Sequence, residues 1–545
     1  MGEFHGSCVI VLHCHLPWVL RHDSLEEEWL FEACSETYMP LLDVFHRLLG
    51  EGVSPKVSLT VSPVLAEQLC QDYFRERFRE FCGRKAEFAR RDREEFGGER
   101  GHIQYLAERW EEFYWSTLAR FDETYGGDIL GSFGELHRAG HVELITCGAT
   151  HAYLPALAED CSVAAQVEMA ARNFRNHFGV HPGGIWLPEC GYRPGGYWKP
   201  PTPGRQHEWG YERRGLEHFL SANDLRFFIV DGHQLQRAWP PGVIKNPMFA
   251  YWARGGSEPR GPVAVLSRDI TLSLQVWRHE VGYPGDGSYL DFHKKHHPSR
   301  LRYWKITHDK LDMAYKHLYY PDDAIRQKIP EHAGHYKWLI AESLKANHSA
   351  SGEPGMVLAA FDAELFGHWW FEGPLFLYHL IKWISQDPEI STETCSGVLG
   401  RLPPKADLYL PESSWGNNFD SSTWINPEVY WVLDREYDAE REMRSLTWEF
   451  GEKYGDEALA RVLRQCAREL MLLQASDWKF MITNWSTRDH GERRAVEHYN
   501  DFKRLAALAW KYGRGEWVDE GEWVFLHDCE TRDGLFPDIV LSWYR

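Results

Sequence analysis

No stretch of this 545-residue chain approaches the roughly 20 consecutive apolar residues that a membrane-spanning helix needs, so no membrane partner is expected. A secretory leader is not expected either: Met1–Gly6 has no basic cluster, and the apolar run Cys8–Leu12 is too short for a signal core. Positive charge is scarce beside negative, with 60 Lys and Arg against 80 Asp and Glu and a net charge of −20. That balance argues against nucleic acid or an anionic lipid surface as the main partner. The eleven cysteines are odd in number and contain no Cys-x-x-Cys pair, which disfavours a disulfide framework and a structural zinc site. There is no internal repeat or low-complexity tract. Together these absences lead us to expect a cytoplasmic protein; its oligomeric state is open, with a monomer favoured.

Aromatic rings are abundant instead: 25 Trp, 25 Tyr and 28 Phe. A pyranose presents an apolar C–H face that stacks on such rings, so this composition points towards a carbohydrate ligand. The bland alternative is a large enzyme with bulky cores, for which 545 residues leave room in two or three domains.

Short apolar runs recur along the chain, most of them ending in polar or aromatic residues. They are Cys8–Leu12, Val57–Val61, Val142–Thr146, Ile185–Leu187, Phe227–Val230, Val263–Leu266 and Met356–Phe361. Helical segments such as Ala164–Phe178 and Ala324–Ala346 lie between several of them. Strands alternating with helices predict a parallel sheet, and seven units with polar residues gathered at one end favour a closed barrel over an open sheet. Gln71–Tyr125 interrupts the rhythm as a charged helical insertion, expected as a lid or a solvated side domain because its acids and bases interleave. From about Pro427 the pattern is helical, and Leu459, Val462, Leu463, Cys466, Leu470 and Leu473 mark one buried face.

Two strand ends carry carboxylates in aromatic surroundings. Met356–Phe371 reads MVLAAFDAELFGHWWF, so a buried run ends in Asp362 and Glu364 before His368, Trp369 and Trp370. Gly184–Tyr192 reads GIWLPECGY and places Glu189 similarly. Active sites of α/β barrels lie at strand C-termini, and retaining glycoside hydrolysis needs one carboxylate as nucleophile and a second as acid, then base. The competing reading is that Glu189 caps a helix and Asp362 orders a turn. His13 and His15, two apart at a strand end, point to one face, and His151 could join them. Zinc binding, hydrogen bonding to sugar hydroxyls and a satisfied structural pair all remain open. Trp277, Trp415 and Trp424 sit beside glycines and polar residues, which favours exposed platforms. Asp477-Trp478 interrupts the last apolar helical pattern and suggests a polar contact back to the site.

Assembled in order, these segments resemble glycoside hydrolase family 57, specifically its 1,4-α-glucan branching enzymes. The resemblance runs through HCHLPW (His13–Trp18), EEEWLFEACSETYMPLL (Glu26–Leu42), CGATHAYLP (Cys147–Pro155) and WLPECGYRP (Trp186–Pro194). It continues through VWRHEVGYPGD (Val276–Asp286), FDAELFGHWWFEGP (Phe361–Pro374), PESSWG (Pro411–Gly416), STW (Ser422–Trp424) and ASDWKF (Ala475–Phe480). It implies an incomplete, TIM-like (β/α)7 barrel over residues 1–400, a helical insertion at 71–125 and a C-terminal α-helical domain at 401–545 that contributes to the cleft. It implies Glu189 as nucleophile and Asp362 as general acid/base, on an α-glucan such as amylose, amylopectin or glycogen. By the same likeness His13, Trp29, Trp277, Trp369, Trp415, Trp424 and Asp477 line the subsites, with His15, His151 and Arg268 nearby. No metal or cofactor is expected.

Branching enzymes of the family carry a tyrosine-tipped loop over the site, and here the chain departs from them. The corresponding Asp231–Gly256 has only Tyr251, near its exit, and offers Trp239, Pro240 and Pro241 in its middle. This departure bears on the balance between transfer and hydrolysis. The competing functions are an α-amylase or 4-α-glucanotransferase with the same carboxylates, a metal-dependent polysaccharide deacetylase, and a non-catalytic glycan-binding protein.

Overall fold

The computed structural model describes residues 3–545 except 23, 98–100, 204–208, 242–244, 256–257, 279–281, 309 and 452–454. Each of the seven apolar runs forms a strand: β1 (Gly6–Cys14), β2 (Val57–Val61), β3 (Val142–Cys147), β4 (Gly184–Trp186), β5 (Phe227–Asp231), β6 (Val263–Arg268) and β7 (Gly355–Asp362). Their pairing is parallel throughout, in the order β7–β1–β2–β3–β4–β5–β6. Strands covered on both faces need apolar side chains along their length, and β1 to β5 are buried at every residue. In β6 and β7 only the last residues, Arg268 and Asp362, emerge from that burial. The N–H of Asp269 reaches the carbonyl of Leu358 at 2.8 Å and draws β6 towards β7. Among the described residues no ladder joins those two strands, so the sheet curls into an incomplete (β/α)7 barrel. The outer edge of β6 is covered instead by the antiparallel strand Tyr251–Ala253.

Register decides what meets at the open end. β1 pairs with β7 so that His13 faces Asp362, and β5 pairs with β6 so that Asp231 faces Arg268. Parallel strands send their C-termini the same way, which delivers both polar pairs to one rim.

The charged insertion folds as two consecutive helices, Asp72–Glu95 and Gly101–Ala119. It is not a solvated side domain. Phe74, Phe78, Phe81 and Phe121 are fully buried and continue the barrel core through ring contacts to Phe31. The interleaved charges describe only its outer face, while the phenylalanines at four- and three-residue spacing form its inner one.

The C-terminal region is helical, with helices Tyr430–Phe450, Glu457–Leu473, Ser476–Thr483, Arg488–Gly513 and Glu520–Arg532. Leu459, Val462, Leu463, Cys466, Leu470 and Leu473 are buried on one face of the second of these, as their spacing predicts. Asp456 caps that helix by accepting from the N–H groups of Ala458 and Leu459. The region docks on the barrel rim at several points. The Trp18 indole donates to the carbonyl of Arg532, and Ala152 pairs with Ala475 as an isolated bridge. No helix among the described residues is long and apolar enough to cross a membrane.

If the insertion is part of the core, Phe78→Ala should destabilise the protein by about 3–5 kcal/mol. The check is the urea midpoint of unfolding, which a solvated side domain would leave unmoved.

Candidate active site

Glu189 leaves β4 on a tight elbow. Its backbone is left-handed (φ 62°, ψ 21°), and Cys190 follows with φ 50°. For residues with a Cβ this costs roughly 1–2 kcal/mol each. The turn is held by the Cys190 N–H to Leu187 carbonyl bond at 2.8 Å and by the Trp415 N–H, which donates to the Glu189 carbonyl at 3.0 Å. The elbow turns the carboxylate into the rim rather than onto a helix end, so the helix-capping reading does not hold.

Two donors fix that carboxylate. The Trp415 indole donates to Oε2 and the Ser476 hydroxyl to Oε1, each at 2.8 Å. Burial pushes the Glu189 carboxyl up, the two hydrogen bonds pull it back, and neighbouring Asp477 raises it again, leaving it at about 7. Asp362, at the end of β7, is half-buried, and among the described residues no donor reaches it. Burial raises it first, then the charges of Glu364 and Glu189, and Arg268 offsets this only in part, so it stands well above the usual carboxylate range. The two carboxyls are close enough to sense each other, yet their environments differ. Two donors favour the ionised form of Glu189, and negative neighbours favour the protonated form of Asp362.

Three imidazoles form the floor beside them. His15 stacks on His151 at 3.8 Å, and His13 lies flat between His151 and Trp186 at 5.0 and 5.2 Å. His13 Nε2 and His151 Nε2 are 2.9 Å apart, and His151 Nδ1 is 2.8 Å from Ser476 Oγ. Burial holds both His13 and His151 well below the ordinary imidazole range, and the neighbouring rings add to this. They are neutral near pH 7. Burial would raise Asp477, but His15 at 3.1 Å and His151 outweigh it and keep its carboxyl low. Asp477 thus reaches back to the strand ends, as its interruption of the helical pattern suggests. His13, Cys147 and His151, and equally His15, His151 and Asp477, lie close enough to share an ion. Their ring nitrogens are nevertheless engaged with one another, Ser62, Ser476 and Asp477, except for His13 Nδ1.

The remaining residues expected at the site divide. Arg268 donates through Nε and Nη2 to Asp231 at 3.0 and 2.6 Å and sits 5.3 Å over the Trp415 ring. Trp277 and Trp369 are exposed and meet edge to face at 6.0 Å, a surface on which sugar rings can lie. Trp415 and Trp424 are not exposed platforms. Trp415 is half-buried against Trp186 with its N–H spent on Glu189. Trp424 is 1% exposed and stacked on Tyr153 at 4.6 Å, so its ring is part of the wall. Trp29 lies on helix Glu27–Ala33 and packs edge to face against His490 at 5.2 Å.

Sequence reasoning assigned no role to Ser476, Asp231, Glu364 or Tyr38. Glu364 is buried, accepting from the His15 N–H and the Tyr38 hydroxyl while raising Asp362. Ser476 lies beside Asp477 in ASDWKF, and Asp231 ends its apolar run as Glu189 and Asp362 nearly end theirs. The strand-end rule that singled out the two carboxylates was therefore signal enough for Asp231. In the Asp231–Gly256 segment, residues 242–244 and 256 lie outside the described residues, as do 279–281 of the Val276–Asp286 motif. Trp239 is 62% exposed and exchanges backbone hydrogen bonds of 2.9 Å with Tyr409, which is 52% exposed. Tyr251 is buried, its hydroxyl accepting from the Asn246 N–H. Gln234 donates to the Pro411 carbonyl at 2.6 Å, tying this segment to the one that carries Trp415.

Residues 9–411 match the model of glycosyl hydrolase family 57, and residues 436–544 match that of the 1,4-alpha-glucan branching enzyme C-terminal region. The chain is 37% identical to a 1,4-alpha-glucan branching enzyme of Thermococcus kodakarensis, over 99% of this chain and 78% of that one. Its structure is similar to that of a GH57-type branching enzyme from Pyrococcus horikoshii, with a TM-score of 0.91 and 36% identity over 99% of this chain and 97% of the other. It is also similar to the alpha-amylase AmyC of Thermotoga maritima, with a TM-score of 0.83 and 29% identity over 99% of each chain.

In an infrared titration of the carboxyl stretch, Glu189 should deprotonate near pH 7, and Asp362 well above the ordinary carboxylate range. The Glu189 transition should vanish in Glu189→Gln and the Asp362 transition in Asp362→Asn.

Proposed function

The chain belongs to glycosyl hydrolase family 57, and we propose that it is a 1,4-α-glucan branching enzyme working with retention of anomeric configuration. The unequal setting of Glu189 and Asp362 carries the chemistry: one carboxyl has two donors, and the other is surrounded by negative charge. The branching reading is supported by the 37% identity over nearly the full chain and by the match of residues 436–544.

Asp362 protonates the glycosidic oxygen as Glu189 attacks the anomeric carbon, breaking the α-1,4 bond and forming a glycosyl ester with inversion. The Trp415 and Ser476 donors stabilise Glu189 as the anion that attacks and again as the leaving carboxylate. The deprotonated Asp362 then takes the proton from an incoming O6 hydroxyl, whose oxygen displaces Glu189 with a second inversion. The product is an α-1,6 branch. If water attacks instead, the outcome is hydrolysis, so transfer requires an acceptor held in place and water kept out. Trp277 and Trp369 offer the acceptor or donor chain a flat surface, while the neutral His13–His151 pair adds no charge near the reacting carbon.

An amylase is the second reading, favoured by one observation: the middle of the segment that corresponds to the family's tyrosine-tipped loop offers an exposed Trp239 and no tyrosine. We place Trp239 and its partner Tyr409 over the cleft as the water-excluding rings. The enzyme is further proposed to build glycogen or a similar store in the cytoplasm. Eleven free cysteines, most of them buried, support a reducing compartment.

Incubation with amylose should give new α-1,6 anomeric signals by NMR with few reducing ends. Reducing ends without α-1,6 signal would make the protein an amylase. Trp239→Ala should raise the ratio of reducing ends to branches severalfold. Glu189→Gln and Asp362→Asn should each lower total α-1,4 cleavage by about 10³-fold or more.

A further inference from the structure

The hydrogen bonds behind the nucleophile run in one direction. Ser476 has a single hydroxyl proton, and its oxygen lies 2.8 Å from both Glu189 Oε1 and His151 Nδ1. When Glu189 is ionised it only accepts, so the serine proton goes to it, and Ser476 Oγ must accept from His151 Nδ1–H. A neutral His151 then has a bare Nε2, which accepts from His13 Nε2–H across 2.9 Å. A neutral His13 is left with a bare Nδ1, and that atom is buried and has no partner among the described residues.

The opposite direction is the state of a protonated Glu189. The carboxyl would donate to Ser476, Ser476 to His151 Nδ1, and His151 Nε2–H to His13 Nε2. His13 would then carry its proton on the partnerless Nδ1. A buried N–H without an acceptor is a rarer and costlier defect than an unused lone pair. Protonating the nucleophile therefore forces an unsatisfied donor into the core three hydrogen-bonded links away, at His13.

We propose that Ser476 is the positioning residue of the nucleophile, the link through which the His13–His151 pair keeps Glu189 ionised and turned towards the substrate. This rests on the assignment of Glu189 as nucleophile, and it is independent of whether the glycosyl ester is passed to a hydroxyl or to water. The backbone of Ser476 has a separate task, since its N–H donates to the His151 carbonyl at 3.0 Å. Removing the hydroxyl thus leaves the helix anchored. Other charged or titratable groups face Glu189 from several sides: Asp477 from the C-terminal helix, His15 from the residue after β1, Asp362 from β7, and the Cys147 and Cys190 thiols. Arg268 acts on Asp362 and Cys190 from β6. None of them touches Oε1 as Ser476 does.

Total α-1,4 cleavage measured against pH tests the proposal. The acid limb of the rate reports ionisation of Glu189, and losing a donor to a charged group should move it up by about one pH unit. Ser476→Ala should show that shift and a roughly tenfold lower kcat at the optimum, with KM nearly unchanged. Ser476→Thr keeps the hydroxyl and should return the limb to its original position. An Ala variant of normal melting temperature whose limb does not move would overturn the proposal. Neutron diffraction of the unmodified protein above the acid limb gives a test that needs no variant. It should find deuterium on His151 Nδ1 and His13 Nε2; deuterium on His151 Nε2, or on both nitrogens of either ring, would overturn the proposal. Loss of all cleavage in Ser476→Ala with no loss in Glu189→Gln would instead sink the assignment of Glu189 on which the proposal rests.

Discussion

A carboxylate that is to attack a sugar must be stripped of water and yet remain charged, and the barrel by itself cannot meet both demands. Burial alone drives Glu189 towards the neutral acid. The two donors that oppose this, Trp415 and Ser476, come from segments that follow the last barrel strand. The C-terminal region is therefore a structural part of the environment of Glu189. Its anchoring contacts are aimed at the rim: Asp477 on His15, Ala475 beside Ala152, and Arg532 under Trp18. Any displacement of that region leaves Glu189 buried without its hydrogen bonds, which is the costly state for a charged group.

The same rim separates two chemically similar carboxyls by their neighbours. Asp362 faces Glu364 and Glu189 with only Arg268 to offset them, and Arg268 is itself committed to Asp231. Glu189 faces hydrogen-bond donors and the neutral His13–His151 pair. A charge on that pair would favour ionisation of both carboxyls and erase the difference. Burial of His13 and His151 among aromatic rings, which lowers their affinity for protons, thus contributes to the difference between the two carboxyls.

Much of this was legible before any coordinates. Seven apolar runs became seven parallel strands because a strand buried on both faces has no alternative pattern, and the rule that function gathers at strand ends pointed to Glu189 and Asp362. Leu459 to Leu473 formed the expected buried face because helical periodicity is a local property. The failures share a cause. The insertion was misread because its charges outnumber its phenylalanines, although Phe74, Phe78 and Phe81 are the side that meets the core. Trp424 looked exposed because its neighbours are polar, yet its stacking partner Tyr153 comes from more than 250 residues earlier in the chain. Ser476 carried no signal at all, since a serine at a helix start is ordinary.

The sequence by itself determined the layers, the strand ends and the chemical types present at them, because periodicity, burial and turn chemistry act over a few residues. Tertiary structure decided which groups share a hydrogen bond, which rings face solvent and which carboxyl is held by donors. Those outcomes depend on distances of about 3 Å between residues far apart in the chain: His13 with His151, Ser476 with Glu189, His15 with Asp477. Hydrogen bonding and desolvation change steeply over such distances, and no spacing along the sequence specifies them.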